Sequence, residues 1–375
     1  MVLSGLSGNE LYCLDQIGWR PGNVVVGNSV YSLGLLRSIG SGLQTLSGGE
    51  IASITSIVSD GRHAALARVK KEAVNDNAGG ITGVTSELRS ISGFIEFLAI
   101  GSSIRRDEPD GQFFSTACSG QDLYCQVDSG YHPVQFVIGN VAYAMGVGRG
   151  VMSLFRSFAG GEVHEISQMY NHTRHLALQR LEAEAAAAGA NSVVDIVTTI
   201  HTFGPGVREM LMVGTASHNP VLGKVARPVT SELTGDELWN LTRLGYAPLR
   251  LCLGTSVYAL GFTGGVSAFF RSFMRGELDG VTRLIYEARE NCLDHIRREA
   301  DQIGADAVVG TKIYIYELGG GLVEVMAIGT AVKKVDGIAT RSAQLIPQAI
   351  TRDRDTFFDR STLGLAETRS LQRNS

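Results

Sequence analysis

The sequence predicts an α+β protein of three tandem modules, each a three-stranded sheet packed on one long helix. One observation behind this prediction is a repeat: Glu50, Glu162 and Glu277 lie 112 and then 115 residues apart, as do Arg62, Arg174 and Arg289. A second is that each copy shows the same order of hydrophobic patterns, namely short helix, strand, long amphipathic helix and two strands. A repeat of this kind indicates a chain of similar modules, so function has to be sought in what the copies share.

The module boundaries follow from linker-like composition between the copies. We assign residues 1–104, 117–218 and 230–334 to the three modules. Residues 335–375 show no sustained periodicity, and we predict a mostly disordered tail there. Phe357 and Phe358 could dock a protein partner for that tail.

Composition excludes several classes of protein. A formal net charge of -4 gives no basic field, so we expect no nucleic-acid partner. The five cysteines form no CxxC pair. The opening residues lack the features of a signal peptide, and no apolar run reaches the roughly 20 residues of a membrane span. We therefore expect a reduced, cytoplasmic protein without a membrane span.

Each module begins with a predicted capping box, in which a hydroxyl and a carboxylate stand three residues apart. The pairs are Ser7 with Glu10, Ser119 with Asp122, and Thr234 with Glu237. A glycine ends each short helix and a proline follows three residues later, which prevents the helix from continuing.

The first strand of each module is predicted at residues 23–33, 134–145 and 249–260. Its apolar content is nearly continuous, which indicates that both faces are covered. A glycine inside each strand, at Gly27, Gly139 and Gly254, favours a bulge or the close approach of another backbone. A tyrosine follows four residues later, and we take these tyrosines as interface or ligand candidates: Tyr31, Tyr143 and Tyr258.

The long helix is predicted at residues 49–78, 161–190 and 276–305. A glutamate begins each copy, as the helix dipole favours. Two strands then complete the module, at residues 81–91 and 94–104, 192–202 and 207–216, and 307–317 and 322–332. The last strand carries a recurring glutamate in each copy: Glu96, Glu209 and Glu324.

The recurring glutamates and arginines are candidates for an interface or a ligand site. Glu50 and Arg62 are 12 residues apart, about 18 Å along one helix, so they cannot touch within a module. The arginine could reach the strand glutamate of a neighbouring module instead. We favour such a structural ion pair over a ligand site, because buried arginine pairs commonly serve packing specificity.

Histidines offer the only candidate for a divalent metal ion. His172 and His175 can share one face of the long helix, with His164 or a carboxylate such as Glu165 as the nearest further ligand. Solvated surface histidines are the favoured alternative, because we find no repetition of the set in the other modules. The chain contains no GxSxG, P-loop or HExxH motif, so we expect no enzyme and name no catalytic residue.

The repeated pattern resembles the YbjQ-like (UPF0145) family, whose members are often labelled "putative heavy-metal-binding" domains. The resemblance rests on residues 28–31 and 255–258, on Ala288-Arg289-Glu290 and on Gly329-Thr330-Ala331. It implies a dodecin-like fold and, from the single-domain members, a pentameric ring. Five chains of three modules would then give three stacked or concentric rings, or the chain would close differently.

Three functions stay open. The first is a non-catalytic, ring-forming homo-oligomer that binds a metal ion or small ligand at its module interfaces. The second is a structural scaffold or adaptor without a ligand, and the third is a cofactor carrier analogous to flavin-storing dodecins. We favour the first. All of them require self-association, because one helix on a three-stranded sheet leaves an open edge and an uncovered face.

Overall fold

The computed structural model describes residues 1–32, 49–106, 112–144, 161–204, 207–259, 279–319 and 321–350. The first module contains α1 (Gly8–Asp15), β1 (Trp19–Ser32), β2 (Gly49–Glu50), α2 (Ala52–Asn75), β3 (Gly80–Ile91) and β4 (Phe94–Arg106). The second contains β5 (Phe114–Ser115), α3 (Gly120–Asp128), β6 (His132–Ala144), β7 (Gly161–Glu162), α4 (His164–Ala187), β8 (Ser192–Gly204) and β9 (Val207–His218). The third contains β10 (Val229–Thr230), α5 (Gly235–Arg243), β11 (Tyr246–Ala259), α6 (Asp279–Gln302), β12 (Ala307–Gly319) and β13 (Leu322–Lys334). A single 3₁₀ turn (Pro220–Leu222) and a short helix, α7 (Pro347–Ile350), complete the described elements.

The predicted α+β fold of three modules is confirmed. In each sheet the last strand of the module lies between the other two and pairs with both in antiparallel orientation: β4 between β1 and β3, β9 between β6 and β8, and β13 between β11 and β12. The predicted capping boxes are present at α1 and α5, and Ser119 caps α3 by accepting from the backbone N–H of Asp122.

Short strands join each module to the next. β5 lies in the predicted linker just before the second module and extends the first sheet by pairing in parallel with β3. β10, at the predicted start of the third module, pairs with β8 in the same way. In the other direction, β2 of the first module pairs with β6, and β7 of the second pairs with β11. Every boundary within the chain is therefore crossed twice by main-chain hydrogen bonds.

The prediction that Glu50 and Glu162 begin the long helices is wrong. Both lie in the two-residue strands β2 and β7, and the helices begin after them, at Ala52 and His164. The preceding glycines adopt φ values of 106° and 129°, which keep the segment extended instead of helical. The edge strand of the next module supplies the hydrogen-bonding partner that makes this extended form stable.

The first strand of each module begins earlier than predicted and includes the proline that was expected to precede it. The register of β1 against β4 shifts after Pro21, and equivalent shifts follow Pro133 and Pro248. A bulge accommodates a residue that has no N–H to donate. A Cβ built on Gly139 would lie 2.1 Å from the carbonyl oxygen of Ala177, so the predicted close approach of a helix backbone is confirmed.

The hydrophobic core does not stop at the module boundaries. One cluster joins Val58 and Phe97 of the first module to Phe136 and Leu211 of the second. A second cluster joins residues of the second and third modules, among them Leu181 with Met326. The modules are therefore parts of one continuous structure.

Residues 337–350, which the sequence assigned to the tail, lie against the short helices. Ser342 donates from Oγ to Oδ1 of Asp128 at 2.7 Å, and Trp239 donates from Nε1 to Oδ2 of the same carboxylate at 2.6 Å. Phe357 and Phe358 lie outside the described residues. Among the helices that are described, none has both the length and the apolar character needed to cross a membrane.

Candidate functional site at the module interfaces

The first module interface is built around a buried ion pair. Arg62 of α2 donates from Nη2 to Oε2 of Glu209 at 2.7 Å and from Nε to Oε1 at 3.3 Å. Both side chains are 0% exposed. Asn140 on β6 donates to the same glutamate at 3.2 Å, and Arg62 also donates to the Ser86 carbonyl. The charges are thus satisfied in a fork geometry that suits arginine and not lysine.

The second module interface repeats the pair. Arg174 of α4 donates from Nη2 to Oε1 of Glu324 at 2.7 Å and from Nη1 to the hydroxyl of Tyr143 at 2.9 Å. Both charged side chains are again 0% exposed. Burial alone would lower the pKa of Arg174, but the negative charge of Glu324 outweighs it and raises the pKa above its ordinary value. The guanidinium therefore stays charged in the core.

The two pairs differ in how completely they are hydrogen-bonded. Thr255 stands in the third module where Asn140 stands in the second. Its hydroxyl, Oε2 of Glu324 and Nε of Arg174 have no hydrogen-bond partner among the described residues. A buried polar atom without a partner costs stability, so the second interface is the less well satisfied of the two.

The glutamates of the short strands add contacts at the same interfaces. Glu50 forms an ion pair with Arg180 of the second module, with 2.7 Å between Oε1 and Nη2. Glu162 accepts from Ser256 at 2.7 Å and from Asn291 at 3.1 Å, both in the third module. Asn291 also donates to the hydroxyl of Tyr258. The structure therefore places these candidate residues between modules, while Glu277 lies outside the described residues.

A recurring histidine pairs with a glutamate across each interface. Nε2 of His63 lies 3.3 Å from Glu184, and Nε2 of His175 lies 3.6 Å from Glu299. Our sequence analysis treated His175 as peculiar to the second module and missed that His63 occupies the equivalent position. The repeat spacing of 112 residues was the signal that could have found it.

The hydrogen bond to Glu184 raises the pKa of His63, and burial opposes it only in part. For His175 burial lowers the pKa, but the hydrogen bond to Glu299 outweighs it and the net shift is upward. Both imidazoles thus gain a proton more readily in the folded chain than in the unfolded one.

The candidate metal ligands do not come together. His175 is engaged by Glu299, Nε2 of His164 contacts the amide of Gln168 at 2.9 Å, and His172 is exposed. Within the described ranges, no three His, Cys, Asp or Glu side chains form a group that could hold a metal ion. The five cysteines are buried thiols, and burial raises the pKa of Cys292 to about 12. The described residues do not fit a soft-metal centre.

The two outer ends of the chain carry the unmatched halves of the interface. Arg289 on α6 is equivalent to Arg62 and Arg174, yet it is exposed and forms no ion pair among the described residues. Glu96 on β4 is equivalent to Glu209 and Glu324, but it is only half-buried and accepts from Asn28 at 2.9 Å. Tyr31 packs edge-on against Phe97 beside it. One end thus presents the arginine and the other presents the glutamate.

The sequence matches known proteins along most of its length. Residues 20–106, 130–219 and 246–335 match the YbjQ family, described as "Putative heavy-metal-binding". A Mycobacterium tuberculosis protein named encapsulin nanocompartment protein Rv1762c is 32% identical over 238 residues, which cover 60% of this chain and 88% of that protein. A UPF0145 protein of Methanoregula boonei is 40% identical over 81 residues, and one of Psychromonas ingrahamii is 40% identical over 83. These two matches each cover 22% of this chain, and 68% and 79% of the relatives. The chain therefore belongs to the YbjQ family and carries three copies of its module.

Proposed function

We propose that this protein is a non-catalytic building block that assembles head to tail with copies of itself, using between chains the contact that joins its modules. The observation that carries the proposal is the distribution of the ion pair. It is complete at both internal boundaries, while its two halves, Arg289 and Glu96, remain at opposite ends. A second copy would complete the pair at each end.

The apolar surface around Glu96 supports the same assembly. Val26 and Val30 on β1 are 44% and 56% exposed. The equivalent residues of the second and third modules are covered by the preceding module and are at most 3% exposed: Ile138, Ala142, Leu253 and Val257. Fully burying an exposed valine is worth about 1.5–3 kcal/mol, so covering these half-exposed valines is worth about 1 kcal/mol each, and this face favours a partner of the same shape.

Such a contact joins two different surfaces, and contacts of that type close into rings when the rotation per module permits and otherwise form open filaments. The Mycobacterium tuberculosis relative carries a name that refers to a nanocompartment, which agrees with an assembly of many copies. A particle of five chains, as the family resemblance implies, stays a prediction.

Charge reversal at the two ends tests the proposal. Arg289→Glu or Glu96→Arg should shift the particle towards single chains, because removing one side of a buried ion pair costs about 3–5 kcal/mol. The double variant Arg289→Glu/Glu96→Arg should restore the assembly, because the two exchanged charges can pair again. Native mass spectrometry gives the number of chains in each case.

Arg283→Glu is the matched control, because it makes the same charge change on the same helix. The residues equivalent to Arg283, Ser56 and Gln168, stay exposed at both internal interfaces. A wild-type protein that remains a single chain at micromolar concentration, or an Arg289→Glu variant that assembles as well as Arg283→Glu, would overturn the proposal.

A metal ion or small ligand at the module interfaces stays a prediction from the sequence and the family description. The interface positions that would have to bind it are engaged with one another in this structure. The scaffold alternative needs no ligand and agrees with the engagement of Arg62 and Arg174 by a glutamate of the next module. Metal analysis of untagged protein separates the two, since bound metal in stoichiometric amount would favour the ligand-binding function.

A further inference from the structure

The segment that precedes the short helix is an added strand at both internal boundaries. In the second module, Thr116 donates its backbone N–H to the carbonyl of Ile81 at 2.9 Å and accepts from the N–H of Val84 at 2.9 Å. In the third module, Ser231 donates to the carbonyl of Val193 at 2.9 Å and accepts from Ile196 at 3.0 Å. Each segment therefore runs along the edge strand of the preceding module.

The equivalent segment of the first module, residues 2–6, is already placed along its own sheet. Leu3 accepts from the N–H of Val24 at 2.7 Å, as the side chain of Thr230 accepts from Leu251 in the third module. Val2 and Leu3 are 41% and 71% exposed, whereas the equivalent Phe114 is 1% exposed. Val2 is thus exposed where its counterparts Phe114 and Val229 are buried, and Leu3 adds a second exposed apolar side chain beside it.

The complementary surface lies at the other end of the chain. β12 is the outer strand of the third sheet, with no strand paired to its free edge in the described part of the chain. A groove of about 330 Å³ runs between α6 and β12, and its walls include Leu293, Ala300 and Val308. At the equivalent place in the first module, Phe114 packs against Gly80 so closely that a Cβ there would lie 2.2 Å from its ring.

A second contact repeats beside the first. A carboxylate in the first turn of one short helix accepts from the first N–H of the next: Glu10 from Gly120 at 2.9 Å, and Asp122 from Gly235 at 3.0 Å. A Cβ on Gly120 or Gly235 would lie 2.7 or 2.5 Å from those acidic residues, so only glycine fits. Gly8 occupies the same position, yet a Cβ there would meet nothing within 4 Å. Its acceptor by equivalence is Glu237, which is exposed.

We propose that residues 2–6 of one copy add to the free edge of β12 in another copy, filling the groove beneath α6, while Gly8 of the first donates to Glu237 of the second. The inference rests on the proposed function and names the strand that forms the joint. By equivalence the backbone N–H of Ser4 donates to the carbonyl of Val308, and Leu3 lies opposite Val308 in the parallel register.

Mixed cysteine variants test the strand. Leu3→Cys and Val308→Cys, prepared separately and then combined, should form a disulfide between chains under mild oxidation, since adjacent strands lie about 4.8 Å apart. The native cysteines are buried and do not compete. Ile313→Cys is the matched control, because this residue is 41% exposed on the same strand beyond the paired stretch. It should give no disulfide with Leu3→Cys.

Gly8→Ala tests the helix contact in chains that fold normally. The added methyl group has open space in the single chain, so the melting temperature of the dissociated chain should not change. At the joint it should collide with Glu237 and weaken association by about tenfold.

The outcomes separate the two proposals. If the mixed Leu3→Cys and Val308→Cys chains assemble but form no disulfide, or if Gly8→Ala associates with unchanged affinity, the inference is overturned and the proposed function still stands. A wild-type chain that does not assemble overturns both.

Discussion

Asn140 and Thr255 stand beside the two buried glutamates, and the difference between them shows what one amide contributes. Asn140 donates to Glu209 at 3.2 Å and to the carbonyl of Thr55 at 3.3 Å. The threonine is too short to do the same for Glu324, whose second oxygen has no partner among the described residues. A buried hydrogen bond of this kind contributes about 1–3 kcal/mol when one partner is charged.

Thr255→Asn should therefore stabilise the chain by about 1 kcal/mol, because the new amide can donate to the free oxygen of Glu324. Asn140→Thr should destabilise it by a similar or larger amount. Urea unfolding measured by circular dichroism gives both values. If Thr255→Asn lowers the free energy of unfolding while Asn140→Thr leaves it unchanged, the amide at this position does not stabilise the buried glutamate.

The histidine pairs make stability depend on pH. Because the pKa values of His63 and His175 lie above the ordinary 6.5, their contribution is fully present below that value and is lost as pH rises through the raised pKa values. The side chains are 45% and 31% exposed, so the effect is modest. The double variant His63→Gln/His175→Gln should lose less stability than the wild type between about pH 5.5 and about pH 9.

Urea midpoints at the two pH values measure this difference. His172→Gln is the control, since His172 is exposed on the same helix and should leave the pH dependence of the wild type unchanged. An equal pH dependence in the double variant and the wild type would show that the pairs do not couple protonation to folding.

At the scale of elements, hydrophobic periodicity predicted the long helices but missed the two-residue strands. The 3.6-residue pattern gave the long helices, and glycine inside the first strands gave the close approach of helix to sheet, as at Gly254 against the carbonyl of Cys292. The strands β2 and β7 have two residues each, too few for any period. Their partners belong to another module, so no local pattern could have indicated that Glu50 is extended.

The interface residues show the same limit. The repeat spacing singled out Arg62, Arg174 and the strand glutamates before any geometry was available. The predicted ion pair between the arginine and the strand glutamate of a neighbouring module is present at both internal boundaries. The sequence did not show whether that glutamate belongs to the preceding or the following module, because a tandem repeat does not specify which face of a module contacts the next. The histidines show a different limit, since His172 and His175 are close in sequence and were considered for one metal site, whereas the partner of His175 is Glu299 on another helix.

For the whole molecule, the joint between chains should differ from the internal interfaces at one place. Glu290 stands where His63 and His175 stand, and its counterpart on the next copy would be Glu72, the equivalent of Glu184 and Glu299. Two carboxylates would then face each other where each internal interface has an imidazole and a carboxylate. We expect the joint between chains to be the weakest of the three kinds of contact.

Glu290→His should tighten the assembly by about 1 kcal/mol, roughly fivefold in affinity, and more strongly at low pH, where the imidazole is charged. Glu287→His is a matched control, because its equivalents Asp60 and His172 stay exposed at the internal interfaces. Sedimentation velocity over a concentration series measures both. Equal gains in the two variants would mean that net charge, not this contact, governs association.

The shared cores also bear on how the chain matures. During synthesis the first module leaves the ribosome before the second exists. The side of α2 that packs on Phe136 and Leu211 is therefore exposed to solvent until those residues are made. Each later module shields the one made before it. No further module covers the α6 side of the third module in the described residues, and Arg289 is exposed there, which makes a second copy of the polypeptide the natural substitute for another repeat.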